Sequence, residues 1–407
     1  MGKGSNSSGL RRYNERAVLT ALRKMETASK SDLARASNLT PQAITRIVDD
    51  LEHTGLVAKG GRRLGKIGQP STMYVINPAG AYSIGVKVGR QDLELLLMDF
   101  GGSIVEKLRH RFDYPDPDFM LRKIADSIAQ LVSVLRPGNA GKLIGVGVAM
   151  PWFMGAWTKE PFMKKEITRK WDEINFSDEL AKVVDLPLFI ENDCSAAAVA
   201  ELQFGVGNQK SNFLYVFIGT FVGGGLVLHG NVETGIYGNA CSLGTMPVPG
   251  STLDTAPGHS GSYEMLLDRA SLFCLIRHLS GHGIEINDIN GLDAVMDQAR
   301  PLIQEWLEDC ADALVYVFMS AIGILDFESI VIDAHLPRYL LIELVEIISR
   351  RIRQNAPRSG TFIPEILPGK VGIDAIAVGG AMLPFYSNFA ADKTVMLKGG
   401  VPEKVPV

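Results

Sequence analysis

The sequence predicts an N-terminal winged helix-turn-helix domain followed by a larger α/β body with two lobes. Three observations lead to this fold class. Three short helices and a basic hairpin come first, a strand meander with a helix and an apolar strand follows, and the later chain again alternates buried strands with long helices. The domains are expected at residues 1–77 and 78–407, with lobes at about 78–190 and 191–385 and a tail at 386–407.

The composition is that of a soluble protein with more than one domain. The chain has 407 residues, and its hydrophobic fraction of 46% is ordinary. No run of about 18 apolar residues predicts a membrane span. The N-terminus is polar, unlike a signal peptide, and the four cysteines are scattered without a CxxC pair. We therefore expect a cytoplasmic protein without a cysteine-based metal site.

Charge is distributed unevenly along the chain. Residues 1–66 hold 13 Lys and Arg against 6 Asp and Glu, a net charge of +7. The whole chain has a net charge of −4, so the remainder carries −11. A basic head on an acidic body suggests a polyanionic partner for the head, although a solvated basic domain would give the same charge.

The head is predicted to contain three helices. The first runs from Asn14 to Met25, and the second is a short helix from Asp32 to Ala36 with Ser31 as its cap. The third runs from Pro41 to about His53, with Thr40 as N-cap and proline at the favoured first position. Its inward stripe has helical spacing and comprises Ile44, Ile47, Val48 and Leu51.

The third helix and the following hairpin are predicted to bind DNA. A recognition helix offers its early residues to base edges and phosphates. Strands at Leu56–Ala58 and Thr72–Ile76 would enclose a glycine-rich wing whose cations can meet phosphate. The predicted contacts are Thr40, Gln42, Ala43, Thr45 and Arg46 on the helix, and Arg62, Arg63 and Lys66 on the wing. A helical protein-interaction module is the alternative, against which the wing arginines weigh.

The body is predicted to begin after a linker at Asn77–Gly80. Its expected elements are strands Ser83–Val88, Leu93–Phe100 and Ser103–Phe112, helix Asp118–Leu135 and strand Leu143–Ala149. This order is typical of the ribonuclease H-like layout of actin and the sugar kinases.

Two later strands end in polar or flexible segments. Leu188–Ile190 leads into Glu191-Asn192-Asp193 and a small-residue helix from Ser195 to about Phe204. Phe213–Ile218 leads into the glycine-rich turn Gly219–Gly225. Ligands in open α/β sheets bind beyond the carboxyl ends of strands, so both segments are expected to line a cleft between the lobes.

These features resemble the ROK family, which groups transcriptional repressors and sugar kinases, over about residues 14 to 390. Glu191-Asn192-Asp193, followed by Ala196-Ala197-Ala198 and Ala200-Glu201, is similar to the sugar-binding segment of that family. In kinase members, the aspartate at the position of Asp193 is the general base. The resemblance therefore implies a hexokinase-like body behind the winged helix.

The phosphate-binding positions differ from those of kinase members. The first strand carries Lys87 where the family has a carboxylate that helps to hold the metal–phosphate group. The second phosphate loop contains Phe221, a large ring at a position expected to favour positive φ. The adenosine-site glycines are replaced by Asp333-Ala334-His335. These changes favour loss of ATP use.

The zinc positions of the family are changed as well. The resemblance aligns its histidine with Thr245 and its three cysteines with Thr255, Pro257 and Ser262. None of these can complete a tetrahedral N/S site, and His259 is interpreted as a surface loop histidine. We therefore expect no metal and no cofactor.

The predicted ligand site combines retained and altered positions. Glu264 and Gly244 are retained, whereas Ser242 replaces a sugar-binding glutamate of the family. Trp152 could stack on a sugar, or could pack in the core. Asp193 could accept a sugar hydroxyl, cap the helix, or do both. The predicted ligand residues are Asn192, Asp193, Glu264, Ser242, Gly244 and Trp152, and no residue is predicted to be catalytic.

The leading hypothesis is a ligand-responsive transcriptional regulator, a repressor. It would bind double-stranded operator DNA as a homodimer or dimer of dimers and sense a sugar or related polyol, without membrane attachment. The first alternative is an ATP-dependent sugar kinase with an added DNA-binding head. The second is a constitutive DNA-binding protein whose body only dimerises.

Overall fold

The computed structural model describes residues 7–63, 70–156, 164–258, 261–286, 288–355 and 362–391. The backbone packs into two compact units. Unit 1 comprises the chain up to Asp193 together with the segment that begins at Ala377, and unit 2 runs from Cys194 to Ile376. Within the described residues, no helix is both long and apolar enough to cross a membrane.

The head of unit 1 is a winged helix. Its apolar stripe on the third helix is buried as predicted, and its three strands pair antiparallel in the order β1-β3-β2. The elements are α1 (Ser7–Met25), β1 (Ala28–Ser29), α2 (Lys30–Ser37), α3 (Pro41–His53), β2 (Val57–Arg63) and β3 (Ser71–Ile76).

The second helix begins earlier than the sequence suggested. Its cap is Ser29, whose hydroxyl accepts the N–H of Asp32 at 3.2 Å, while a carboxylate oxygen of Asp32 accepts the N–H of Ser29 at 3.0 Å. The prediction of Ser31 as cap was wrong, because this reciprocal capping box satisfies two helix-end donors at once.

The remainder of unit 1 is the first lobe. Its sheet has the order β6-β5-β4-β7-β8, an antiparallel meander followed by two parallel neighbours, which confirms the predicted ribonuclease H-like layout. The elements are β4 (Tyr82–Val88), β5 (Asp92–Asp99), β6 (Ile104–Arg111), α4 (Pro117–Val134), β7 (Leu143–Met150), α5 (Lys165–Glu173), α6 (Phe176–Val183) and β8 (Leu188–Asn192).

Unit 2 repeats this arrangement. Its main sheet has the order β11-β10-β9-β14-β15, again three antiparallel strands followed by parallel ones, and a two-stranded ribbon joins β12 to β13. The other elements of unit 2 are α7 (Asp193–Phe204), β9 (Phe213–Ile218), β10 (Val222–Leu228), β11 (Asn231–Glu233), β12 (Pro247–Val248), β13 (Glu264–Met265), α8 (Leu272–Gly281), α9 (Leu292–Ile322), β14 (Ser329–Ala334), α10 (Arg338–Asn355) and β15 (Glu365–Pro368). The last helix, α11 (Ala375–Phe389), belongs to unit 1 from Ala377 onward.

Glycines let α11 lie directly on the first-lobe sheet. A Cβ on Gly85 in β4 would overlap the backbone N of Ala381, and one on Gly147 in β7 would overlap the carbonyl of Gly380. The Ser83 hydroxyl donates to the Ala381 carbonyl at 2.6 Å. Close backbone approach, rather than side-chain size, therefore holds this helix in unit 1.

The predicted linker is an ordered junction. Pro78–Gly80 forms a 3₁₀ turn capped by Asn77. On the head side, the Asn77 side chain donates to the carbonyl of Gly55 at 2.7 Å; on the lobe side, Phe100 N–H donates to the carbonyl of Pro78 at 3.0 Å. Hydrogen bonds on both sides restrict the motion of the head relative to the first lobe.

A partly buried arginine adds a second connection between head and first lobe. Arg23 in α1 donates to the carbonyl of Phe100 at 2.9 Å, and its guanidinium lies 5.2 Å from the centre of that ring. Burial lowers the pKa of Arg23 to about 10, so it remains charged at neutral pH. The Phe100 ring also packs on Phe385 and Phe389 of α11, at centroid distances of 5.4 and 4.9 Å.

Candidate functional site

The N-terminal half of α3 presents a polar face. Gln42, Thr45 and Arg46 are exposed at helical spacing, opposite the buried stripe, and Ala43 is half-buried. The Thr40 hydroxyl caps the helix by accepting the N–H of Ala43 at 3.3 Å. This end of the helix is therefore exposed, and the major groove of B-DNA is wide enough to admit an α-helix.

The wing places two arginines on an exposed strand. Arg62 and Arg63 are exposed near the end of β2, after a bulge in which Gly61 has a φ of +114°. Arg63 pairs with Asp32 of α2 at 3.0 Å. Hydrogen bonds from Ser29 lower the pKa of Asp32, so its carboxylate is ionised and orients the wing arginine. The predicted contact Lys66 lies outside the described residues.

The carboxyl ends of β7 and β8 bring together three of the predicted ligand residues. Met150 of β7 is in register with Asn192 of β8, and Trp152 follows two residues after Met150. Asn192, Asp193 and Trp152 are all partly exposed. Asp193 is the first residue of α7, so the predicted helix start at Ser195 was two residues late. Its position suits both a helix-end carboxylate and an acceptor for a ligand hydroxyl.

The Trp152 side chain is partly buried. It packs against the first-lobe core but keeps part of its surface open. The next residue, Phe153, is 58% exposed and has a φ of +54°, unusual for a bulky residue. Sequence inspection missed Phe153, because only the folded backbone reveals its left-handed conformation.

Lys87 forms an ion pair within the hairpin of β4 and β5. It lies on β4, beside β7, and pairs with Asp92 at 3.2 Å, while Arg109 contacts the same carboxylate at 3.1 Å. Burial works against ionisation, but the two cations hold the pKa of Asp92 below its usual value. The resemblance places a metal-binding carboxylate at the position of Lys87. In this chain, Lys87 and Arg109 instead surround the carboxylate of Asp92.

The glycine-rich turn of unit 2 is held by the start of α8. The carbonyls of Gly219 and Thr220 accept the N–H groups of Leu272 and Phe273 at 3.0 and 3.2 Å. The N–H of Val222 donates to the Ser271 hydroxyl at 3.0 Å, so this amide is already engaged.

Phe221 fits this turn without backbone strain. Its ring lies 5.8 Å from that of Phe273. Among the described residues, the non-glycine positions with positive φ do not include Phe221, so the expected conformational conflict was wrong. The ring and its packing, not the backbone angle, distinguish this turn from an open phosphate loop.

A buried carboxylate occupies the end of β14. Asp333 accepts a hydrogen bond from the Tyr215 hydroxyl at 3.1 Å, and its side chain lies against Gly369. Burial raises the pKa of Asp333 to about 6. The neighbouring Glu201 reinforces this shift, because its negative charge opposes ionisation of Asp333.

The other three predicted ligand residues lie in unit 2. Ser242 is exposed and precedes a 3₁₀ turn that contains Gly244, whose Cα faces the carbonyl of Val222 so closely that a Cβ would lie 2.8 Å from it. Glu264 is buried in β13 and accepts the N–H of Ser251 at 3.2 Å. The six residues therefore form two groups, one in each unit.

The positions of the missing zinc ligands hold no thiol. Thr245, Thr255, Pro257 and Ser262 are described, whereas His259 lies outside the described residues. The Thr245 hydroxyl donates to the Ser242 carbonyl at 2.8 Å. Burial raises the pKa of Cys241 to about 12, which disfavours the thiolate that zinc binds.

Comparisons with known proteins agree with this architecture. The ROK family matches residues 83–384, and the MarR family matches residues 13–60. The uncharacterized protein y4fQ of Sinorhizobium fredii is 26% identical over 382 residues, covering 92% of this chain and 91% of that protein. The xylose repressor of Bacillus subtilis is 24% identical over 296 residues, covering 71% of this chain and 76% of the repressor.

A solved structure extends the likeness to the whole described architecture. The crystal structure of a ROK family transcriptional regulator, a homologue of the Escherichia coli MLC protein, has a TM-score of 0.67 and 20% sequence identity. The match covers 94% of this chain and 98% of the other. The predicted fold, a winged helix followed by a hexokinase-like body, is thereby confirmed.

Proposed function

Because the chain belongs to the ROK family, we propose that it is a sugar-responsive transcriptional repressor. The observation that carries this proposal is a winged helix, with an open α3 face and a cationic wing, joined to a kinase-like body whose phosphate positions are changed. The xylose repressor of Bacillus subtilis, which matches most of this chain, supports the same function.

The DNA partner is double-stranded operator DNA. Gln42, Thr45 and Arg46 are exposed where a recognition helix meets base edges, and Arg62 and Arg63 extend the basic surface along the wing. Two such heads, brought together in a homodimer or dimer of dimers, would match a two-fold operator.

The effector is a sugar or related polyol. Asn192 and Asp193 offer hydroxyl acceptors and donors at a sheet edge that also carries the Trp152 ring, suited to the C–H face of a sugar. Glu264, Ser242 and Gly244, which lie in unit 2, are also proposed ligand residues. Loss of the family's glutamate at Ser242 changes one hydroxyl contact, so the preferred sugar need not be that of other members.

The effector acts by favouring one of two conformations of the protein. It can shift operator affinity only by its differential affinity for those conformations. The connections of the head to the first lobe through Arg23 and Asn77 support this mechanism, because a rearrangement of the lobe would move the head with it.

The body is proposed to bind without catalysis. Phosphoryl transfer needs a metal ion and donors placed around the phosphates. Lys87 is a cation paired with Asp92, and Phe221 packs on Phe273 beside an amide already bound to Ser271. Asp193 would then accept a sugar hydroxyl without abstracting its proton.

The proposal is tested by DNA binding to the promoter region of the protein's own gene. We expect a specific shift at moderate salt, and a change in affinity of at least fivefold with one member of a sugar panel. Absence of a specific shift contradicts the regulator. An affinity that no sugar changes favours the constitutive alternative, in which the body only dimerises.

A coupled ADP-release assay with the same sugar panel tests the kinase alternative. We expect no turnover above the rate without protein. Turnover that disappears in Asp193→Asn would instead identify the chain as a kinase with a DNA-binding head.

A further inference from the structure

Two histidines and an aspartate meet beside α8 in unit 2. His278 and His282 are four residues apart, so they project from the same side of the helix end, and their rings are 4.9 Å apart. The Asp254 carboxylate reaches both: one oxygen lies 3.9 Å from Nδ1 of His278, and the other 3.4 Å from Nε2 of His282. The three ligand atoms all lie within 4.8 Å of one another.

Hydrogen bonds fix which ring nitrogens are available. Nε2 of His278 lies 3.2 Å from a Glu305 carboxylate oxygen, and Nδ1 of His282 lies 3.0 Å from the His278 carbonyl. Both partners can only accept, so these two nitrogens carry hydrogens. In neutral imidazoles, the opposite nitrogens then hold lone pairs, and these are the two that face Asp254. This is the arrangement by which outer carboxylate and carbonyl groups orient histidine ligands.

Thr255 also contacts His278. Its hydroxyl oxygen lies 2.7 Å from Nδ1 of His278; because Nε2 carries the hydrogen, the hydroxyl donates to Nδ1, and a metal would displace this hydrogen bond. His278 is fully buried, and His282 is 33% exposed. The cluster is therefore oriented by its surroundings on the histidine side and open to solvent on the aspartate side.

We propose that Asp254, His278 and His282 bind a divalent transition metal of the zinc class. Two imidazoles and a carboxylate suit Zn²⁺ or Co²⁺, whereas Mg²⁺ and Ca²⁺ prefer oxygen ligands. Ligand atoms around tetrahedral zinc are about 3.4 Å apart, and the three ligand atoms here lie within 4.8 Å of one another, so they must draw closer to bind a metal. The Asp254 side chain is 71% exposed and can move toward the histidines. Water completes the coordination.

The metal would tie a loop to α8. The loop before Asp254 is fixed at its start, where Arg269 donates to the Pro249 carbonyl at 2.8 Å and Thr252 N–H donates to Asp309 at 3.2 Å. The Ser251 N–H, in the same loop, also donates to Glu264. A metal at Asp254 would fix the other end of this loop, so the site has a structural role. It uses other residues than the changed zinc positions of the family.

Cobalt titration of the chelator-treated full chain tests the site. We expect one Co²⁺ per chain, visible ligand-field absorption of tetrahedral intensity, and no thiolate charge-transfer band. His282→Ala and Asp254→Asn should weaken binding at least tenfold, and Glu305→Gln about tenfold. The matched control His229→Asn, at an exposed histidine of the same unit, should bind as the parent does.

The same variants provide a second measurement. Zn²⁺ should raise the thermal unfolding midpoint of the parent and of His229→Asn, but not of His282→Ala, because only the native state holds the assembled site. Circular dichroism of the metal-free variants checks that they are folded. Equal cobalt affinity in parent and His282→Ala, or a thiolate band, would overturn the proposal.

Discussion

At the scale of single residues, burial decides the chemistry of Asp333. Its carboxylate lies near the end of a fully buried strand, and one of its oxygens accepts a hydrogen bond from Tyr215, while the other oxygen has no hydrogen-bond partner among the described residues. Burial raises its pKa from 3.8 to about 6. The unfolded chain therefore loses this proton at lower pH than the folded protein does.

The raised pKa of Asp333 makes the folded protein less stable as the pH rises. Below about pH 4 both states keep the proton, and stability is unaffected; as pH rises to about 6, only the unfolded state ionises, so stability is lost. Asp333→Asn removes this loss. We expect its unfolding free energy relative to the parent to rise by up to about 3 kcal/mol between pH 4 and 7.

Chemical unfolding at stepped pH, followed by tryptophan fluorescence, measures this difference. Asp326→Asn, at an exposed position between α9 and β14, serves as control and should show the same pH profile as the parent. Parallel profiles for Asp333→Asn and the parent would contradict the inference.

Asp193 allows two residue-scale roles to be separated. Asparagine caps a helix about as well as aspartate, but it lacks the charge that makes a strong hydroxyl acceptor. If Asp193 binds the effector, Asp193→Asn should unfold at the same temperature as the parent when no sugar is present. Sugar should raise the unfolding temperature of the parent but not that of Asp193→Asn. The sugar should stabilise the parent by about 2.7 kcal/mol when its concentration is a hundred times Kd.

Thermal shift with the sugar panel makes this measurement, with Asp185→Asn as the exposed control. A sugar response in Asp193→Asn equal to that of the parent would leave Asp193 as a helix-end residue only.

At the scale of elements, α3 and the wing are expected to contribute differently to DNA binding. Wing arginines meet phosphates, which carry no sequence information, whereas α3 meets base edges. Arg62→Ala should weaken binding to all sequences and reduce the salt slope by about 1, while Gln42→Ala should change sequence preference. Fluorescence anisotropy across salt concentrations and operator variants distinguishes the two, and equal effects on every sequence would refute the division.

The junction between head and first lobe is also an element-scale feature. Arg23→Met removes a partly buried cation and its hydrogen bond to the Phe100 carbonyl, which should cost about 1–3 kcal/mol. We expect faster limited proteolysis near residues 77–80 than in Arg12→Met, an exposed change on the same helix. Identical cleavage rates would show that Arg23 does not hold the junction.

At the scale of the whole molecule, one chain combines a DNA-binding head with a body built from two similar sheets. Each sheet has three antiparallel strands followed by parallel neighbours, and the proposed ligand residues divide between the two units. The paired Lys87 and the packed Phe221 remove features of a kinase while Asn192 and Asp193 remain. This combination supports sensing as the function of the body.

The sequence by itself determined the winged helix, the ribonuclease H-like strand order and the α3 face, because periodic apolar spacing and turn residues are local properties. Tertiary structure alone decided the Ser29 cap, the ordered junction around Asn77, the conformation of Phe221 and the burial of Asp333. Tertiary structure also brings Asp254 beside His278 and His282, although the sequence itself shows that the two histidines are four residues apart. Such features depend on contacts between distant segments, which a local pattern does not encode.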